Sequence, residues 1–325
     1  MKVNFVPNDK VCGFFRAVQP VSFLNYAKVM YNFDSKQKPD ITVLCRAVHQ
    51  EIYDCMKNLQ RSGKKVFYEW DDYFFDISKY NPVGGYLDQF KAMVGAFLHE
   101  VDGVICSTNY LAKLTKKHTK KPIYVIPNAI NMAVYDKFVE KKEAHDTVNI
   151  GYMGSATHLE DIYGTQVWKA IVMILREFAN VRLVLKGWDF TNNKVFDGLR
   201  NKVIYYEGGD DYQLDMLKFD IGLAPLKVTD FNKAKSNLKF LEYSALKIPT
   251  IATKIQPYKC MTHNKTGILI ENKVSYWYNN IKELILNKDK RLELAQNAND
   301  YVRENFDAKN VAKKYTEVFK EVLDV

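Results

Sequence analysis

The chain has 325 residues, 47% hydrophobic and 26% charged, with only 15 Gly and 9 Pro. A sequence this rich in aromatic and aliphatic side chains can bury a large core, which excludes a disordered protein. No stretch approaches the roughly 18–20 uninterrupted apolar residues of a membrane-spanning helix. The net charge of +9 is spread over both halves rather than carried on a tail. It favours anionic partners: nucleotides, nucleic acid or lipid head groups.

Residues 1–10 turn polar too soon for the apolar core of a secretory signal and read as a first strand. The five cysteines (Cys12, Cys45, Cys55, Cys106, Cys260) are odd in number and show neither CxxC nor zinc-type spacing. Cys45 and Cys106 lie inside apolar runs and read as small buried hydrophobes. The expectation is a reduced, cytoplasmic, two-domain protein without a metal site.

Short β-branched runs alternate with helical patterns, the signature of a parallel α/β architecture. Strands are expected at 2–6, 41–48, 65–70, 103–107 and 123–126, with helices near 21–29, 51–59, 87–99 and 109–117. The alternation restarts with strands at 148–153, 181–186, 203–207, 220–225, 249–252 and 267–270. Helices are expected near 164–178, 212–218, 238–246, 274–286, 291–305 and 309–323. The polar stretch 136–147 has few apolar side chains to bury and is the best linker. Two doubly wound, Rossmann-like domains joined there, 1–146 and 147–308, would face each other with the carboxyl ends of their strands, and ligands of such sheets bind in that crevice.

No GxGxxG follows the first strand, and GxxxxGK[ST], HExxH and GxSxG are absent. Nicotinamide redox, P-loop and α/β-hydrolase readings lose their usual anchors. In the second half, Gly151-Tyr-Met-Gly154-Ser155-Ala-Thr-His158 runs from a strand into a small-residue turn. Gly154 and Ser155 could present backbone N–H groups to phosphate, or form an ordinary tight connection with His158 as a turn histidine. Lys235, Ser236 and Asn237 open the helix 238–246, where donors and dipole favour an anion. Glu242 lies about one turn further in, among Phe240, Leu241 and Tyr243. A carboxylate there needs partners, which the vicinal hydroxyls of a ribose or a structural salt bridge would supply. In the first half, Glu69, Asp71 and Asp72 end an aromatic strand. They could bind acceptor hydroxyls, balance cleft cations, cap a helix or hold a metal. Lys113, Lys116, Lys117, Lys120 and Lys121 form a basic cluster: a solvated helix end, or a surface for a polyanionic acceptor or an anionic membrane.

The run 235–252, with 151–158 and 220–226 before it, resembles the carboxyl-terminal domain of retaining nucleotide-sugar glycosyltransferases of the GT-B fold, most strongly the large family numbered four. The resemblance extends over nearly the whole chain. Val11-Cys12-Gly13-Phe14-Phe15-Arg16 looks like that family's amino-terminal glycine loop, and Val101–Leu111 and Tyr124-Val-Ile-Pro-Asn128 look like further family segments. The final helix is placed like one that crosses back to the first domain, so 309–325 should pack there. The resemblance implies that Glu242 is the second glutamate of a Glu-x7-Glu signature and holds the donor ribose. The first glutamate falls at Ala234, a departure that puts the identity of the sugar in doubt. Gly13, Arg16, Gly154, Ser155, His158, Lys186, Ser236, Asn237, Lys239 and Glu242 become the expected donor-binding set, with the loop 207–211 facing the nucleobase. Lys235 and Asp72 are the expected catalytic residues.

The implied reaction is metal-independent sugar transfer from a nucleoside diphosphate sugar, with retention at the anomeric carbon and no other cofactor. The acceptor could be a glycan, a small molecule or a modified DNA base. The rival reading is a non-catalytic nucleic-acid-binding α/β protein that uses the basic cluster.

Overall fold

The structure, a computed structural model, describes residues 1–32, 37–78, 80–82, 84–209 and 211–324. The first half supplies β1 (Val3–Pro7), β2 (Ala27–Val29), β3 (Ile41–Cys45), β4 (Lys65–Trp70), β5 (Gly103–Cys106) and β6 (Ile123–Val125). The second half supplies β7 (Val148–Gly154), β8 (Val181–Gly187), β9 (Val203–Tyr206), β10 (Ile221–Ala224), β11 (Thr250–Thr253) and β12 (Ile268–Ile270). Among the described residues these make two six-stranded sheets, ordered β2-β1-β3-β4-β5-β6 and β12-β11-β10-β7-β8-β9. Every named pairing is parallel.

Successive side chains leave a strand on opposite faces, so a strand covered on both sides is apolar throughout. β3 is buried at all five positions: Leu44 lies with Val6, Tyr68 and Val104 on one face, and Val43 with Phe5, Phe67 and Ile105 on the other. The first face is covered by Met56, Leu59, Val94 and Phe97, and the second by the last helix, Ala308–Leu323. That helix sets Tyr315 and Phe319 edge-on against Phe5, with ring centroids 5.5 and 6.1 Å away.

Four local expectations differ from the fold. The helix expected near 21–29 is a short turn, Gln19–Val21, followed by the edge strand β2. Three residues carry too little pattern to be seen, and pairing with β1 decides the conformation. The helix near 87–99 breaks into Gly84–Asp88 and Lys91–Glu100. The one near 164–178 starts at Val167, after Gln166 in the left-handed conformation (φ 61°). Residues 136–147 are not a continuous linker either, since helix Met132–Val139 buries Met132 and Tyr135 in the second half's core. Arg303 clasps Asp136 on the same helix with two bonds of 2.6 and 3.0 Å. The chain therefore crosses near Ile130, which lies beside Asp307 as the carboxyl-terminal segment returns to the first sheet.

Candidate donor cleft

A cleft of about 790 Å³ opens between the two sheets, lined from the first half by Lys10, Cys12, Phe14, Phe15, Asp71 and Asp72. β7 and β8 end on its second-half wall at Gly154 and Gly187, which stand opposite each other in register. Gly187 has φ +95°, and a Cβ there would sit 2.8 Å from the Gly154 carbonyl, so this rim is bare backbone. Ser155 also lines the cleft, its Oγ 2.7 Å from Thr157 Oγ1.

Helix Leu238–Ala245 forms the adjoining wall. Leu238, Lys239 and Glu242 share one face at i, i+1 and i+4 and point into the cleft, while Phe240, Leu241 and Tyr243 are buried behind it. Tyr243 Oη accepts from the Met153 N–H (3.2 Å) and donates to the Leu223 carbonyl (3.3 Å), which fixes the helix over the strand ends. Glu242 Oε1 accepts from the hydroxyls of Tyr212 (2.6 Å) and Tyr135 (3.4 Å). Burial raises its carboxyl to about 7, against the lowering pull of Tyr212 and Lys239. Among the described residues, no protein donor engages Oε2.

Three lysines line the same cleft. Lys186 is buried at the cleft floor, where its Nζ donates to the Glu207 carbonyl and to Asp215 Oδ2 (2.8 Å). Of the 207–211 loop, Gly208 and Gly209 line the cleft, and residue 210 lies outside the described residues. Lys235 Nζ stands 3.8 Å from Asp72 Oδ1 and 4.5 Å over the Phe231 ring. Lys239 Nζ is 3.3 Å from His158 Nε2. Burial, reinforced by Lys235, lowers the Lys239 ammonium to about 8. His158 is likewise lowered to about 4, first by burial and then by Lys239, and is neutral at physiological pH.

On the first-half wall, burial would raise Asp72, but Lys235 and Arg46 outweigh it and hold the carboxyl below its ordinary value. Asp71, deeper and 3.6 Å from Arg46, is raised by burial. The structure places three expected donor ligands away from the cleft. Gly13 packs against the end of β1, where a Cβ would meet Pro7 at 2.6 Å. Arg16 is fully buried, paired with Glu69 and donating to Asn128 Oδ1 at 2.8 Å. Asn237 turns from the cleft and donates to Cys260 Sγ at 3.3 Å. Ser236 keeps a place on the wall and accepts from Asn128 Nδ2 across the two halves at 2.9 Å. Ala234 is fully buried within the first half's apolar layer, and its carbonyl accepts from Thr108 Oγ1 at 2.9 Å.

Sequence reasoning missed Asp161, Tyr135, Tyr212 and Arg46. Asp161 follows His158 at i+3, a spacing that puts both on one face of a helix start; the others are brought in by tertiary packing alone. The basic cluster of Lys113, Lys116, Lys117, Lys120 and Lys121 does not line the cleft.

No protein-family model and no curated protein matches the chain. Solved structures do match in fold. HepE of Anabaena with UDP-glucose bound superposes with a TM-score of 0.70 at 13% identity, covering 99% of this chain and 100% of that one. A glycosyltransferase of Rickettsia africae gives 0.69 at 16% identity, covering 99% and 98%. S. aureus TarM gives 0.64 at 14% identity over 86% of this chain, which spans only 54% of TarM. At such identities the likeness is one of architecture: this chain has the two-sheet GT-B fold of these glycosyltransferases.

Proposed function

We propose that the protein is a glycosyltransferase that uses a nucleoside diphosphate sugar, transfers the sugar with retention, and needs no metal. The observation that carries this reading is the convergence on one cleft of a bare-backbone rim (Gly154, Gly187), lysines (Lys186, Lys235, Lys239) and a carboxylate with an uncommitted oxygen (Glu242). Close approach to bare backbone, a cation-lined wall and a hydrogen-bond acceptor for a diol are the three demands of a nucleoside diphosphate.

In this reading the ribose hydroxyls donate to Glu242, and the diphosphate lies against the glycine rim and Lys239. The bond from the anomeric carbon to the phosphate oxygen breaks while the acceptor oxygen bonds on the same face. The acceptor's proton passes to the departing phosphate, so no protein base is required. Lys235 and Lys239 offset the charge that develops on the leaving group, each worth about 1.5–3 kcal/mol as a charge-assisted contact. Asp72, ionised and held between Lys235 and Arg46, faces the sugar or acceptor hydroxyls from the opposite wall. The acceptor is a glycan, a small molecule or a modified DNA base, with the Lys113 to Lys121 surface available for an anionic one.

Thermal stabilisation by a panel of nucleotides and nucleotide sugars tests the reading, with UDP-glucose first because HepE binds it. A shift that persists in EDTA and is absent in Glu242→Ala is expected. No shift from any nucleotide, together with salt-dependent retention of duplex DNA, would favour the nucleic-acid-binding alternative.

A further inference from the structure

We infer that Asp161 and His158 are positioning residues that aim the Lys239 ammonium at the diphosphate of the donor, an inference that rests on the donor-cleft reading. Asp161 is buried, and all its partners donate to it. Oδ1 accepts from the Lys227 N–H (2.8 Å) and Asn232 Nδ2 (2.7 Å), while Oδ2 lies 2.8 Å from His158 Nδ1. A carboxylate with this many donors is ionised, and its carboxyl lies below the ordinary value despite burial. His158 Nδ1 must then carry the ring proton, which leaves the Nε2 lone pair as an acceptor. Among the described residues, the donor within reach is Lys239 Nζ, at 3.3 Å. The result is a directed chain, Asp161 to His158 to Lys239, running from a rigid buried anchor to the cleft wall.

The chain does for Lys239 what neither residue does alone. An ammonium has three donors. One is spent on His158, and the Tyr152 ring lies 5.8 Å below. The stem is thereby held while the remaining donors face the cleft. A neutral imidazole does this without cancelling the charge, whereas a carboxylate in its place would have neutralised the lysine and weakened its attraction for phosphate. The groups that face Lys239 electrically are Lys235 from the preceding loop, Asp161 and His158 from the β7 connection, Glu242 from its own helix and Asp72 from the first half.

The tautomer is directly observable. In the full chain labelled with 15N-histidine, His158 should show the Nδ1–H form from pH 6 to 9; an Nε2–H form would overturn the inference. Asp161 also holds the Lys227 N–H and Asn232, so Asp161→Asn risks misfolding, and the deciding variants are at His158. His158→Gln places an acceptor oxygen near Nε2, while His158→Met fills the space without one. With inorganic pyrophosphate as probe, His158→Met should bind at least tenfold more weakly than wild type and His158→Gln within about threefold. Equal binding by all three would overturn the positioning role even with the expected tautomer. Wild-type protein that binds neither pyrophosphate nor any nucleotide sugar would refute the donor cleft itself, and the inference with it.

Discussion

Glu242 shows how a buried charge trades stability for binding. Its folded carboxyl sits near 7 against an ordinary value of 4.5. Relative to a neutral side chain it costs nothing well below pH 4.5; the cost builds as pH rises from 4.5 to about 7 and is complete above that. The full difference is about 3 kcal/mol. Glu242→Gln should therefore unfold at a higher temperature than wild type at pH 8.5, with the gap closing toward pH 4.5. The same variant should bind a nucleotide sugar about tenfold more weakly at pH 8.5, and a parallel loss of Tm at pH 8.5 would contradict this account. Arg16 is the complementary case. Its guanidinium pairs with Glu69, whose carboxyl burial raises to about 7 even against the lowering pull of Arg16. Arg16→Ala strands that carboxyl and should cost about 3–5 kcal/mol in urea denaturation. Nucleotide affinity of the folded variant should be unchanged; a large loss of affinity would return Arg16 to the donor site.

At the scale of elements, the site depends on how helix ends are tied. Thr108 Oγ1 accepts from the Leu111 N–H at 3.1 Å, capping helix Asn109–Thr115, and donates to the Ala234 carbonyl at 2.9 Å. One hydroxyl thus caps a first-half helix and holds the segment that leads to Lys235. Thr108→Val keeps the shape and loses both bonds, and should destabilise by about 1–2 kcal/mol. Calorimetry should also show a smaller stabilisation by nucleotide sugar, because the Lys235 loop loses its tether. The strands themselves are legible, since 11 of the 12 among the described residues lie where β-branched runs predict them. β2 is not, because a three-residue edge strand is selected by its neighbour rather than by its own residues.

For the whole molecule, the two halves interlock through the segment after β10. Helix Asp230–Ala234 places Ala234 in the first half's apolar layer, and Tyr110 donates to Asp230 at 2.9 Å. The position at which the family resemblance calls for a glutamate is thus filled by interdomain packing. Ala234→Glu should not create a sugar contact. It buries an unpaired carboxylate and should lower Tm by several degrees, with no gain in affinity for any nucleotide sugar. The arrangement of two doubly wound units, the glycine turn at Gly154, the buried Glu242 and the lysines near it could all be read along the chain, because each depends on residues adjacent in sequence. Which of those groups share a cleft could not. Arg16 and Asn237 have the right chemistry for an anion, yet packing turns them away. Tyr135 and Tyr212 carry no local mark and reach the site only through folding. Local pattern sets strand, helix and turn because those bonds close within a few residues. The cleft is assembled from side chains as far apart in sequence as Lys10 and Tyr258, and only the packing of one sheet against the other decides which of them meet.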